Sequence, residues 1–252
     1  MKLKIKKILA ATLGITLILL LLLFVNSWVG NPISKILAKN AAEQYIEKNY
    51  KDLNLEIQSA NYNFKFGSYM VFCQSADSVD TAFSVYVDSF GNVVRDDYEY
   101  EVANNFATFR RLDNELRSIG DKLLRDHLKY NISNAGFLMD HLEEGEMEQL
   151  TKDMPLDVYN PPFKIGASIT IIDPDVSYDK MAEVLKNMAE VCSNEGIPIA
   201  VYSVRIEYDN LVSVEDGAEA RENLYLDLYN IPEQILQSDN LPKALEELAS
   251  ES

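Results

Sequence analysis

The amino-acid sequence predicts an α+β protein: an N-terminal transmembrane helix followed by two small domains in which antiparallel sheets pack on helices. Three observations carry this. An uncharged, leucine-rich run follows a basic N-terminus. Strand-like alternation and helical stripes then succeed one another twice, and a proline-rich stretch separates the two successions.

The N-terminal tail, residues 1–7, holds Lys2, Lys4, Lys6 and Lys7 and no acid, and residues 8–29 carry no charge. A bilayer core of roughly 30 Å needs about 20 helical residues, so 8–29 is expected to be a signal-anchor span with Trp28 at the water boundary. No A-x-A pattern follows the run, which argues against cleavage. The lysines would keep the tail cytoplasmic and leave the body extracytoplasmic, as a single-pass protein of the cell membrane.

The first α+β domain is expected over 31–150. Ile36, Leu37, Ala41, Tyr45 and Ile46 make a helical stripe in Ser34–Tyr50. Four strands follow as a meander: Leu55–Asn63, Tyr69–Gln74, Thr81–Asp88 and Val93–Tyr100. In the third, Phe83, Val85 and Val87 alternate with Ser84, Tyr86 and Asp88, and Ser89–Asn92 supplies a hairpin turn. Phe109, Leu112, Leu116, Ile119 and Leu123 then predict a long helix from Asn104 to His127. A further short helix is expected over Gly136–Leu150.

Residues 151–162, TKDMPLDVYNPP, hold three of the eight prolines and read as a linker. The second α+β domain, 163–252, is expected to run strand, helix, strand, strand, helix. Lys164–Ile172 is the first strand. Met181, Val184, Leu185, Met188 and Val191 stripe the helix, which Gly196 ends. Pro198–Tyr208 and Asn223–Tyr229 are strands, and Pro232–Leu236 and Leu241–Ala249 are helical.

Beyond the basic tail and leucine-rich span, the chain reads GNP at Gly30–Pro32, EKNY at Glu47–Tyr50 and YNFKFGSY at Tyr62–Tyr69. With these residues it resembles the YfjL-like proteins of Gram-positive bacteria. That resemblance implies a membrane anchor and brings no catalytic residues. A looser likeness of layout is to PepSY-type domains, which implies binding or inhibition of other proteins.

No residue pattern points to catalysis, and no cofactor or metal is expected. The ten glycines are never closer than nine positions, so phosphate loops, Rossmann turns and nucleophile elbows are absent. His127 and His141, the only histidines, lie among Glu143, Glu144, Glu146 and Glu148. They lack HExxH or paired-cysteine spacing and read as exposed helix residues. Asp173–Asp179 superficially resembles an EF-hand loop, but Tyr178 stands where glycine is needed and Val184 where the last glutamate belongs, so it reads as a strand end and helix cap. Asp88, Asp96, Asp97, Glu99 and Glu101 crowd the hairpin and read as a solvated edge. Cys73 and Cys192 are expected to be free thiols.

From Asn31 onward the chain holds 19 basic and 40 acidic residues, a net of −21. Such charge repels nucleic acid phosphates, so nucleic acid is excluded as a partner. The expected function is a non-enzymatic binding module at the cell envelope, attached by one N-terminal helix and engaging an envelope protein. A hydrolase built from scattered residues is the alternative.

Overall fold

The computed structural model of the protein describes residues 2–140, 146–208 and 225–251. Asn223 and Leu224, at the start of an expected strand, lie outside them. The chain folds as two units, Met1–Ala107 and Thr108–Ser252. Each carries its own four-stranded sheet.

In the first unit, helix α1 (Lys2–Val29) leads into α2 (Pro32–Asn49) and an antiparallel meander. Its strands are β1 (Leu55–Asn63), β2 (Ser68–Ser75), β3 (Ala82–Asp88) and β4 (Val93–Asp96), paired in that order. Strict alternation sends Tyr69, Val71 and Cys73 of β2, with Phe83, Val85 and Val87 of β3, into the core. There they meet Ala38, Ala42 and Ile46 of α2. Small residues at four-residue spacing let the helix lie close to the sheet. The predicted fourth strand stops at Asp96, and residues 99–103 coil into a single wide helical turn.

None of the described residues of α1 is buried. Among the described residues, no helix is long and apolar enough to cross a membrane. A span needs about 20 apolar residues. This corrects the expected transmembrane helix over 8–29, and with it the single-pass membrane localisation and orientation.

The second unit takes up the long helix α3 (Phe106–His127), which the sequence had placed with the first sheet. The stretch after it is also corrected. Residues expected to begin a helix at Gly136 instead belong to strand β5 (Ile132–Met139). A strand is favoured there because Phe137 and Met139 reach the core while Leu138, between them, is only half-buried, a period of two. The remaining strands are β6 (Ile165–Ile172), β7 (Ile199–Glu207) and β8 (Tyr225–Pro232), in the order β5-β6-β7-β8. Helix α4 (Tyr178–Asn194) crosses from β6 to β7, so that pair is parallel, whereas β5–β6 and β7–β8 are antiparallel. Helix α5 (Leu241–Glu251) closes the unit. The proline-rich 151–162 is coil within this unit, with Met154, Leu156 and Val158 packed against its core.

The reason α3 joins β5 lies in two glycines. A Cβ on Gly120 would stand 2.1 Å from the backbone nitrogen of Phe137 and 2.7 Å from the carbonyl carbon of Gly136. Polar contacts pin both ends of the same packing. The Met139 amide donates to Asp113 at 3.0 Å, and Arg125 donates to the Ile132 carbonyl at 2.8 Å. The buried face of α3 is therefore Leu112, Leu116, Gly120 and Leu124, with Leu128 just beyond its end, whereas Ile119, assigned to the stripe on hydrophobicity, is 38% exposed.

Gly120→Ala is expected to destabilise the protein by about 3 kcal/mol, because backbone and not a flexible side chain blocks the methyl. Gly67→Ala, at φ +61° with open space around it, is expected to cost about 1 kcal/mol. Thermal or urea unfolding of both variants compares them, and equal losses would refute the close-approach account.

Candidate functional site

The carboxylates around the β3–β4 hairpin are held in separate structural roles. Asp88 closes the turn, accepting from the Phe90 and Asn92 amides at 2.8 Å each and from the Asn92 side chain at 2.8 Å. The Asn92 side-chain contact is the main reason its carboxyl is held below the ordinary range. Asp97 accepts from the Ser84 amide at 2.5 Å and from the Tyr86 hydroxyl at 3.2 Å. Asp96 gathers two phenols from around the end of α2: Tyr45 donates at 2.5 Å and Tyr50 at 3.0 Å. The hydrogen bond to Asp96 is the first cause that raises Tyr45 above its ordinary value, with burial second. For Tyr50 burial comes first and Asp96 second. Sequence spacing could not pair Asp96 with residues 51 and 46 positions away.

The remaining candidates resolve similarly. His127 is an exposed helix-end residue whose Nδ1 lies 3.0 Å from the Leu123 carbonyl. His141, Glu143 and Glu144 lie outside the described residues, as does the Glu146 side chain. Among the described residues no group of three potential ligands gathers as a metal site. In the segment Asp173–Asp179, Asp173 accepts from the Asp175 amide at 2.9 Å, and Ser177 caps α4 by accepting from Lys180 at 3.2 Å. Cys73 and Cys192 are free and buried, and burial pushes each thiol up to about 12.

A surface that no motif search singled out forms where GNP meets YNFKFGSY. Gly30 takes φ +73°, where a Cβ would stand 2.7 Å from both the Tyr62 ring and the Tyr69 hydroxyl. Asn31 caps α2 by accepting from the Ser34 amide at 2.7 Å, and Pro32 occupies the first turn, where its missing N–H costs nothing. The buried Tyr69 hydroxyl accepts from the Asn31 amide at 2.8 Å and donates to the Asn31 carbonyl at 3.0 Å. These contacts hold the helix junction against the β1–β2 turn. Trp28 stacks on Phe64 there, with centroids 5.6 Å apart and planes 2° from parallel. Ser89 donates to the Gly67 carbonyl at 3.3 Å, tying the second hairpin turn to the first. Phe66 and Phe90 project from those two turns, 71% and 84% exposed. A signal was present in the sequence: four apolar aromatics in turns and a helix end, where loops are ordinarily polar.

The YfjL-like N-terminal domain matches residues 5–98, and the YfjL-like C-terminal domain matches residues 115–246. The fold and these two matches define a two-domain α+β protein, and the chain belongs to the YfjL-like family. The two matches bracket the division of the chain between Ala107 and Thr108. No curated protein matches the chain. A DUF5037 family protein from Ruminococcus gnavus is similar at 16% identity, covering 82% of this chain and 98% of its own, with a TM-score of 0.25.

Because both phenols are raised, their contribution to stability is complete below about pH 10 and is lost as pH rises through the higher folded-state values. Asp96→Asn is expected to move the tyrosinate absorbance of these rings to lower pH, Tyr45 more than Tyr50, and to cost about 1 kcal/mol at neutral pH. Repeating the titration on Tyr45→Phe assigns the ring. An unchanged titration in Asp96→Asn would remove the carboxylate from the account.

Proposed function

We propose that the protein is a non-catalytic binding module that holds another protein against the hairpin-turn end of its first unit. The observation that carries this is the aromatic surface of Trp28, Phe64, Phe66 and Phe90, each at least 60% exposed. Contiguous exposed apolar side chains mark interaction surfaces, and aromatic anchors dominate binding energy where they are desolvated. The scaffold beneath the surface is rigid: a two-way tyrosine clamp, a capped helix and linked turns limit the ordering cost of association. The net charge of −17 favours a partner whose apolar contact is flanked by basic residues. The engagement of Asp88, Asp96 and Asp97 in turn, strand and tyrosine contacts supports binding over acid–base chemistry.

A photo-crosslinking residue at Phe90 is expected to capture one protein partner in cells. Phe66→Ser with Phe90→Ser is expected to weaken the purified complex at least about 30-fold while leaving the melting temperature unchanged. Full affinity in the double variant would refute the reading. So would equal retention of the chain on zwitterionic lipid vesicles with no protein partner present, since the surface would then be recognising lipid.

A further inference from the structure

A cleft of about 920 Å³ opens in the second unit, within the size range of small-ligand sites. It lies where β6 and β7 begin, beside the C-terminal end of α4 and the short turn Glu233–Gln237. Its position follows from an irregularity in the sheet. Ile165 pairs with Ile199, but Gly166 pairs with Val201, so Ala200 is an extra residue bulged out of the β6–β7 ladder. Bulges re-aim side chains and interrupt pairing.

Tyr202 lines this cleft and is only 3% exposed. Its hydroxyl is the unusual feature. It makes no hydrogen bond among the described residues, although every fully enclosed side-chain polar atom among them has a partner. The hydroxyl is therefore not fully enclosed, and the residue that carries it lines the cleft. A buried phenol with no protein partner leaves a hydrogen-bonding group to be satisfied by whatever enters.

The surrounding charges define what would enter. Glu190 and Glu233 both line the cleft and have no cationic partner among the described residues. Burial raises the Tyr202 phenol first, Cys192 second, and Glu233 adds to them third. Lys164, the cleft's cation, is already engaged by other groups. The last turn of α4 contains no basic residue; its Cys192 and Ser193 carbonyls accept from the Ile197 and Gly196 amides at 3.0 Å each, so the helix end adds no positive charge to the cleft. Phe163 and Tyr159 contribute aromatic surface, of the kind that receives a cation and its alkyl stem.

We propose that this cleft binds an organic cation, an ammonium or guanidinium group on a short apolar stem, with Tyr202 accepting its hydrogen bond and Glu190 and Glu233 balancing its charge. The group arrives either as a free amine or as a lysine or arginine side chain of a peptide. The inference is independent of the aromatic surface on the first unit.

The test uses the uniformly ¹⁵N-labelled full chain and four probes of similar length: n-butylammonium, n-butylguanidinium, neutral n-butanol and anionic butyrate. The cations are expected to shift the amide signals of Gly196 to Tyr202, and the neutral and anionic probes to leave them in place. An acetyl-Gly-Arg-Gly-amide peptide forms a further arm, and binding of the peptide alone identifies a side chain as the natural source. Tyr202→Phe removes one oxygen without changing shape, and Glu233→Gln changes an exposed residue, so both are expected to fold. Each is expected to weaken cation binding about tenfold. Three results overturn the proposal: no shift with any cation or with the peptide, equal shifts with n-butanol, or unaltered affinity in both variants.

Discussion

Helix α3 can lie on strand β5 only because Gly120 has no side chain. With the Phe137 nitrogen 2.1 Å from where a Cβ would stand, the two backbones meet directly. That contact commits α3 to the second sheet, and the rest of the unit follows from it. Leu112, Leu116, Leu124 and Leu128 turn inward on the same face, and the Asp113 and Arg125 contacts hold the two ends of β5. The first unit is then left with α2 as the helix on its sheet, which the small residues Ala38 and Ala42 permit.

The acidic residues illustrate how charge that looks available becomes occupied. A hairpin rich in aspartate could have formed a paired-carboxylate site, in which one group is desolvated and protonated. Each aspartate instead meets its own donors: amides for Asp88, an amide and a phenol for Asp97, two phenols for Asp96. The effect appears on the phenols, which are raised, because stabilising a carboxylate with an O–H donor also stabilises the protonated donor.

The two surfaces singled out for binding have opposite physical characters. The hairpin-turn end of the first unit offers exposed rings on a rigid base and favours apolar burial. The cleft of the second unit offers a buried phenol and two carboxylates without a cationic partner among the described residues, and favours a cation. An acidic chain bearing both fits partners that combine an apolar contact with a basic group, and the two sites are separable by substitution.

The alternation of Phe83, Val85 and Val87 in β3 and the helical stripes of α2 and α4 were legible because local periodicity determines which side chains share a face. The capping roles of Ser177, and of Gly196 at φ +72°, were similarly local. Three things were not local. The glycine at 120 lay outside the stripe assigned to the long helix, and only packing against β5 puts it on the buried face. Residues 136–139 have apolar content that suits helix or strand, and the β6 edge decided for strand by supplying ladder partners. Neither candidate surface was legible either: Trp28 meets Phe64 across 36 residues, and Tyr202 joins residues of β6, α4 and the Glu233–Gln237 turn in one cleft. Sequence alone determined the elements that depend on neighbours in the chain. Tertiary structure decided the elements and sites whose stabilising partners come from distant segments, because a backbone glycine or an unpaired hydroxyl has meaning only against what it touches.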